Sequence, residues 1–250
     1  MQRLVLATIV VLVGACSSKS GGRSVRVAAA ADLSKAFTEV AKELQAKTGI
    51  AAKIDFNSSG LLAKQIEQGA PYFLFAAANK GYVDQVIAAG RCDKSTARVY
   101  ARGRLVVWTR SGVAAPAKLA DLADARFNKI AIANPEHAPY GKAAQQALTA
   151  SGLWSQLQDR IVMGENIQAT MTYAKNGEVD AAIVALSLAV VADGGAFLAI
   201  DPALHDPLDQ TLVVCGNGEE ADAARQLADY LDSRDGREIM TRYGFSLPKD

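Results

Sequence analysis

The residues best suited to chemistry lie in a turn at 134–142, with the sequence NPEHAPYGK, between a short apolar run and a helical pattern. Pro139 presets a helical φ, and Gly141 lets another group approach the backbone closely. A strand-to-helix turn of this kind directs unpaired backbone N–H groups and the positive end of a helix dipole toward one point. The pattern indicates either an anion site built without a cationic side chain or an ordinary strand-to-helix turn.

Other predicted strand ends have small or polar residues directly before a helix, at 30–32, 57–60, 165–167 and 185–187. If these ends converge, their helix N-termini could surround one anion. Ser59 offers a hydroxyl as well as its N–H, although it could instead cap its helix. Strands alternate with helices along the chain, which predicts an α/β fold with a mostly parallel sheet and helices on both faces. Such folds bind ligands beyond the carboxyl ends of their strands.

Several of these segments match one family in order and spacing. The turn PEHAPYG at 135–141 resembles the corresponding turn of the molybdate-binding proteins of ABC transporters. The other matching segments are VRVAAAADL at 25–33, FNSSGLLAKQI at 56–66, GAP at 69–71, YARGRLVVW at 100–108 and RYGF at 242–245. The resemblance covers residues 25–248.

The resemblance implies a two-lobed periplasmic-binding-protein fold of type II, with the ligand in the cleft between the lobes. The first lobe would comprise residues 25–104 and 190–250, and the second 105–189. The apolar run at 99–109 is too long for one ordinary strand, and we expect it to connect the lobes.

By the same resemblance, the oxyanion would be bound at Asp32, Ser59, Tyr140, Ile167 and Ala185. Tyr140 and Ile167 would act through their backbone N–H groups. Ser58 and Ser187 are weaker candidates. No catalytic residue, cofactor or separate metal site is expected, and molybdenum would be present only within the bound oxyanion.

Four residues depart from the family pattern. Asp32 replaces a common Ser, and we expect its carboxylate to cap the helix at Leu33 and to leave its N–H for the ligand. Ala185 replaces a Tyr, and Ser187 could supply the lost hydroxyl. Phe73 stands where Asp is usual, and Ala77 where Ser is frequent. These departures leave the choice among oxyanions open.

The N-terminus has the pattern of an export signal. Arg3 precedes an apolar run at 4–14, which is too short to span a bilayer, and VGAC at 13–16 resembles a bacterial lipobox. We expect residues 1–15 to be a signal peptide, Cys16 to be lipidated, and 16–24 to form a tether. The alternative is a plain signal peptide cleaved nearby.

Composition excludes several other classes of protein. Of 27 basic residues only Arg3 lies in the signal, so the mature chain has 26 basic and 26 acidic residues. This balance, without a cluster of basic residues, argues against nucleic acid as the main partner. Cys92 and Cys215 could form one disulfide after export. The sequence has no nucleophile elbow, zinc-protease motif or Walker loop.

The predicted function is capture of molybdate, with tungstate as a further ligand, by an exported, lipid-anchored and monomeric binding protein that delivers it to an ABC permease. The alternatives are binding of another oxyanion such as sulfate, and a sensor that presents its ligand to a receptor.

Overall fold

The computed structural model describes residues 23–248, which form two five-stranded sheets flanked by helices. The strands are β1 (Ser24–Ala30), β2 (Ala51–Asn57), β3 (Leu74–Ala77), β4 (Arg98–Arg102), β5 (Leu105–Thr109), β6 (Ile130–Ala133), β7 (Ile161–Gly164), β8 (Ala181–Ala185), β9 (Ala196–Ala199) and β10 (Asp209–Val214). The predicted signal peptide and Cys16 lie outside the described residues.

Helices follow most of the strands. The α-helices are α1 (Ser34–Thr48), α2 (Ser59–Glu67), α3 (Lys80–Ala88), α4 (Pro139–Ala150), α5 (Trp154–Leu157), α6 (Ile167–Lys175), α7 (Leu186–Ala189), α8 (Glu219–Asp232) and α9 (Arg234–Arg242). Short 3-10 helices occupy Ala31–Leu33, Lys94–Thr96, Leu119–Ala123, Gln158–Arg160 and Pro202–Leu204. Within residues 23–248, no helix is both long enough and apolar enough to cross a membrane.

Both sheets are mixed, with one reversed strand each. The strand order is β2-β1-β3-β10-β4 in the first sheet and β7-β6-β8-β5-β9 in the second. β1 is parallel to β2 and β3, and β6 to β7 and β8, whereas β10 and β5 are antiparallel to both of their neighbours. Each reversed strand is the first one after the chain passes from one sheet to the other. The predicted two-lobed α/β fold is confirmed.

The long apolar run at 99–109 contains the first crossing, as expected. β4 belongs to the first sheet and β5 to the second, with Gly103 and Arg104 between them. A Cβ on Gly103 would lie 1.9 Å from the Tyr140 hydroxyl oxygen, so the crossing passes close to the start of α4 and leaves no room for a side chain.

The return crossing lies later than predicted. Ala196–Ala199 pairs with β5 along the edge of the second sheet, although the predicted boundary at 189/190 assigned it to the first lobe. That boundary is corrected by the strand pairing, and we propose that the second lobe extends to about residue 200. Sequence pattern could not show this, because β9 is a short strand whose partner is about ninety residues away.

A disulfide joins Cys92 to Cys215, a pairing that the sequence left open. Cys215 directly follows β10, and Cys92 lies between α3 and β4. The bond therefore ties two segments of the first lobe, and the chain between them includes every strand of the second sheet.

Candidate anion-binding site

A small cavity lies where helices of both lobes begin. Its lining contains no Lys, Arg or His side chain and consists of Ala30, Ala31, Asp32, Asn57, Ser58, Ser59, Ala78, Ala138, Pro139, Tyr140 and Ile167. The starts of α2, α4 and α6 contribute to it, together with the 3-10 turn that precedes α1. Five of the seven predicted binding residues thus lie around one cavity: Asp32, Ser58, Ser59, Tyr140 and Ile167.

The start of α2 supplies one donor that has no internal partner. The N–H of Ser58 donates to Asn57 Oδ1 at 2.8 Å, and the N–H of Gly60 donates to the His137 carbonyl at 2.9 Å. The Ser59 N–H between them has no partner among the described residues. The fully buried Ser59 Oγ accepts from the Ala78 N–H at 3.0 Å, so its own proton can still be donated. Ser58, not Ser59, is the N-cap residue of α2.

The start of α4 is held by close packing. Pro139 occupies the first helical position, and Tyr140 follows it with 2% of its surface exposed. A Cβ on Gly141 would lie 2.0 Å from the Ala133 carbonyl oxygen. The close approach expected at Gly141 is therefore made by the end of β6, which fixes where the Tyr140 N–H points.

At the start of α6, a side-chain cap pairs two backbone N–H groups and leaves a third without a partner among the described residues. The Asn166 Oδ1 accepts from the N–H groups of Gln168 and Ala169, both at 3.0 Å. The N–H of Ile167 precedes this cap and has no partner in the described part of the chain. Ile167 is 3% exposed, occupies the first helical position of α6 and lines the cavity.

Asp32 is 1% exposed in the 3-10 turn Ala31–Leu33, and its predicted capping role is wrong. Neither this turn nor α1 has a side-chain cap. The Asp32 Oδ2 instead accepts from Gln210 Nε2 at 2.8 Å, an amide on β10. The carboxylate is held by a residue far away in sequence, which a local capping rule could not reveal.

Asp32 belongs to a buried polar group of four residues that also includes Gln210, Tyr100 and Tyr140. Burial raises the pKa of the Asp32 carboxyl to about 7, against weaker opposing effects of the Tyr140 hydroxyl, its own backbone N–H and the Gln210 amide. Burial and the nearby Asp32 charge hold the pKa of both tyrosines well above the usual range. The Tyr140 hydroxyl lies close enough to the Asp32 carboxyl to lower its pKa, but by distance and angle it completes no hydrogen bond. By the same criteria, Asp32 Oδ1, Gln210 Oε1 and the Tyr100 hydroxyl have no partner among the described residues.

The two lobes touch directly at the edge of the cavity. The Ser58 hydroxyl lies 2.8 Å from His137 Nδ1, and Gly60 donates to the carbonyl of the same histidine. The Asn57 side chain adds longer contacts with Glu165 at 3.4 Å and Asn166 at 3.2 Å. These hydrogen bonds join the two lobes across the cleft, so the lobes are in contact in this structure.

Ala185 and Ser187 are not among the residues that line this cavity. Ala185 ends β8 and is fully buried, and the Ser187 hydroxyl donates to the Asp32 carbonyl at 2.7 Å. Ser187 therefore connects α7 to the turn that contains Asp32, and its hydroxyl proton is already used.

Phe73 and Ala77, the two other departures from the family pattern, also lie outside the lining of the cavity. Phe73 packs under the Arg26 guanidinium, 5.3 Å from the ring centroid, and Ala77 ends β3 opposite Thr211. Ala78 lines the cavity although sequence reasoning gave it no role, since an alanine at a strand end carries no chemical signal. Ala31 and Ala138 line it within the predicted segments 30–32 and 134–142.

This arrangement suits an anion that accepts hydrogen bonds from neutral donors. Helix N-termini present N–H groups and the positive ends of dipoles, so they favour negative charge without a cationic side chain. No three His, Cys, Asp or Glu side chains in residues 23–248 lie together as a metal site. His137 has its Nδ1 against Ser58, and the neighbouring Glu136 is exposed.

Comparison with known proteins gives a consistent match over nearly the whole chain. Residues 25–246 match the family model described as bacterial extracellular solute-binding protein. The molybdate-binding protein ModA of Rhodobacter capsulatus is 31% identical, covering 96% of this chain and 94% of its own. A candidate ABC transporter substrate-binding lipoprotein of Bacillus subtilis, YvgL, is 27% identical over 96% of this chain and 95% of its own. Among solved structures, the periplasmic molybdate-binding protein of Azotobacter vinelandii superposes with a TM-score of 0.84 at 29% identity, covering 90% of this chain and all of that one.

Proposed function

The chain belongs to the bacterial extracellular solute-binding proteins, and we propose that it captures molybdate outside the cytoplasm and delivers it to an ABC transporter permease. One observation supports this most directly. The N–H groups of Ser59, Tyr140 and Ile167 have no hydrogen-bond partner within residues 23–248, and all three residues line one small cavity whose lining has no cationic side chain. Two relatives from other bacteria are molybdate-binding proteins, which supports molybdate as the oxyanion.

Neutral donors can bind a dianion tightly when several act together. Hydrogen bonds to a charged acceptor contribute about 1.5–3 kcal/mol each, so a handful of them offsets the cost of lobe closure. Donors fixed to helix ends cannot follow a smaller or larger anion, so the site should discriminate by size. Tungstate has the charge and shape of molybdate, and we propose that it binds as well.

Competition calorimetry on the mature protein tests the ligand. Molybdate and tungstate should bind far more tightly than sulfate or phosphate, because donors fixed to helix ends cannot adjust to a smaller tetrahedron. Equal or tighter binding of sulfate would reassign the protein to another oxyanion. Turnover of a substrate without retained ligand would contradict a binding protein altogether.

We also propose that Cys16 is lipidated and that the protein acts as a monomer on the outer face of a membrane. The lipobox-like VGAC at 13–16 and the Bacillus subtilis relative support the anchor. Labelling with a radioactive fatty acid should mark the wild type and not Cys16→Ser. Equal labelling of both would remove the anchor from the proposal.

A further inference from the structure

The buried carboxyl of Asp32 lines the cavity that is proposed to hold a dianion, which presents an electrostatic conflict. An ionised Asp32, which is 1% exposed, would place a third negative charge in a confined site away from bulk water. Like charges at short distance in such surroundings disfavour the ionised form strongly. Binding of a dianion therefore requires either a cationic partner for Asp32 or protonation of the Asp32 carboxyl.

Within residues 23–248, no cationic side chain pairs with Asp32. No described ion pair includes Asp32, and its neighbours are the hydroxyls of Tyr140 from α4 and Tyr100 from β4 and the amide of Gln210 from β10. The helices α6 and α7 pack against the same turn and present Ile167 and Ser187 there. Charged side chains on the elements around Asp32 are exposed or half-buried: Arg26, Lys35, Glu39, Lys42, Glu43, Lys47, Lys53, Asp55, Arg98, Arg102, Lys142, Lys175 and Asp209. The half-buried His137 lies beside Ser58 at the edge of the cavity.

We propose that Asp32 takes up one proton when a dianion enters the cavity, so that a neutral carboxyl faces the bound oxyanion. The inference rests on the proposed function and adds a proton to the binding reaction. A neutral carboxyl removes the third negative charge and provides one O–H donor, which a carboxylate lacks. It also fits Oδ1, which has no partner while the neighbouring Oδ2 is held by Gln210.

The direction of the pH dependence follows from linkage. Because the carboxyl pKa of about 7 in the closed form would rise further beside a dianion, the bound state holds a proton that the free protein loses as pH increases. Affinity is therefore greatest below this pKa and declines above it. From about pH 6 to pH 8, we expect the dissociation constant to rise by roughly tenfold or more.

Calorimetry with molybdate tests this in the wild-type protein without any substitution. At about pH 8, titrations in buffers of different ionisation enthalpy should show uptake of nearly one proton per bound anion. Asp32→Asn keeps an acceptor for Gln210 but has no proton to gain. It should bind at pH 8 at least as tightly as the wild type at pH 6, with no proton uptake. Asp32→Ser should behave similarly, and Asp84→Asn, on the exposed face of α3, serves as the matched control.

Three results would overturn the inference. Molybdate binding that is tight but independent of pH, with no proton uptake, would remove proton coupling and leave the proposed function intact. A wild-type pH dependence that persists in both Asp32 variants would assign the proton to another group. Absence of molybdate binding at every pH would reject the proposed function and this inference with it.

Discussion

Ser59 contributes both a side chain and a backbone group at the start of α2. Its hydroxyl oxygen accepts from the Ala78 N–H, which leaves the hydroxyl proton available to an anion in the cavity. Ser59→Ala should weaken molybdate binding by about 1.5–3 kcal/mol, the contribution of one hydrogen bond to a charged group, without abolishing it, because the N–H remains. Calorimetry measures the loss.

The same substitution should lower the free energy of unfolding by about 1 kcal/mol, since the buried Ala78 N–H loses its acceptor. Ser95→Ala is the control, because that hydroxyl is exposed and bonded only to Asp93. An unchanged affinity in Ser59→Ala, with the expected loss of stability, would show that the hydroxyl has a purely structural role.

At the residue scale, small and polar residues at strand ends predicted the segments, and the family resemblance predicted Ser59, Tyr140 and Ile167 within them. The structure places these three residues around one cavity, and their contact with an anion stays a prediction. It failed for Asp32, whose partner Gln210 is 178 residues away. A long-range partner of this kind cannot be inferred from the neighbours of a residue.

Helix α2 contacts the turn that precedes α4 at Gly60, a residue without a side chain. A Cβ on Gly60 would lie 2.8 Å from both the His137 carbonyl oxygen and the Tyr82 hydroxyl. Gly60→Ala should therefore hinder closure of the lobes and weaken molybdate binding by roughly tenfold, mainly through faster dissociation, because a clash of this size costs on the order of 1–3 kcal/mol. Stopped-flow fluorescence and calorimetry measure the two quantities.

Gly81→Ala is the matched control, since the added methyl on α3 meets only the Asn79 side chain, at 3.7 Å. It should leave binding unchanged and stabilise its helix by a few tenths of a kcal/mol up to about 1 kcal/mol. If both variants bind like the wild type, the contact between Gly60 and His137 is not needed for closure.

The spacing of apolar residues predicts most helices and strands, but not which strands pair. Phe37, Val40 and Leu44 form the buried face of α1, as their helical spacing predicts, with Ala41 half-buried beside them. Hydrophobic spacing says nothing about strand direction, so the reversal of β5 and β10 and the pairing of β9 with β5 emerged only from the structure.

At the scale of the whole molecule, the Cys92–Cys215 bond closes a chain loop that contains the second sheet. Loop closure restricts the unfolded chain, so the Cys92→Ser/Cys215→Ser variant should lose about 2–5 kcal/mol of unfolding free energy. Urea denaturation measures this loss, with the reduced wild type as the comparison. Molybdate affinity at room temperature should be nearly unchanged, because neither cysteine lines the cavity. Equal urea midpoints for the variant and the oxidised wild type would contradict the prediction.

We propose that helix N-termini from both lobes hold molybdate in the cavity between Ser59, Tyr140 and Ile167. Anomalous diffraction at the molybdenum edge, from crystals of the mature protein grown with molybdate, locates the metal atom directly. We expect one strong peak in this cavity, with oxide oxygens about 2.7–3.1 Å from the N–H nitrogens of these three residues. A peak at another place on the protein, or none in the cavity at saturating molybdate, would contradict the claim.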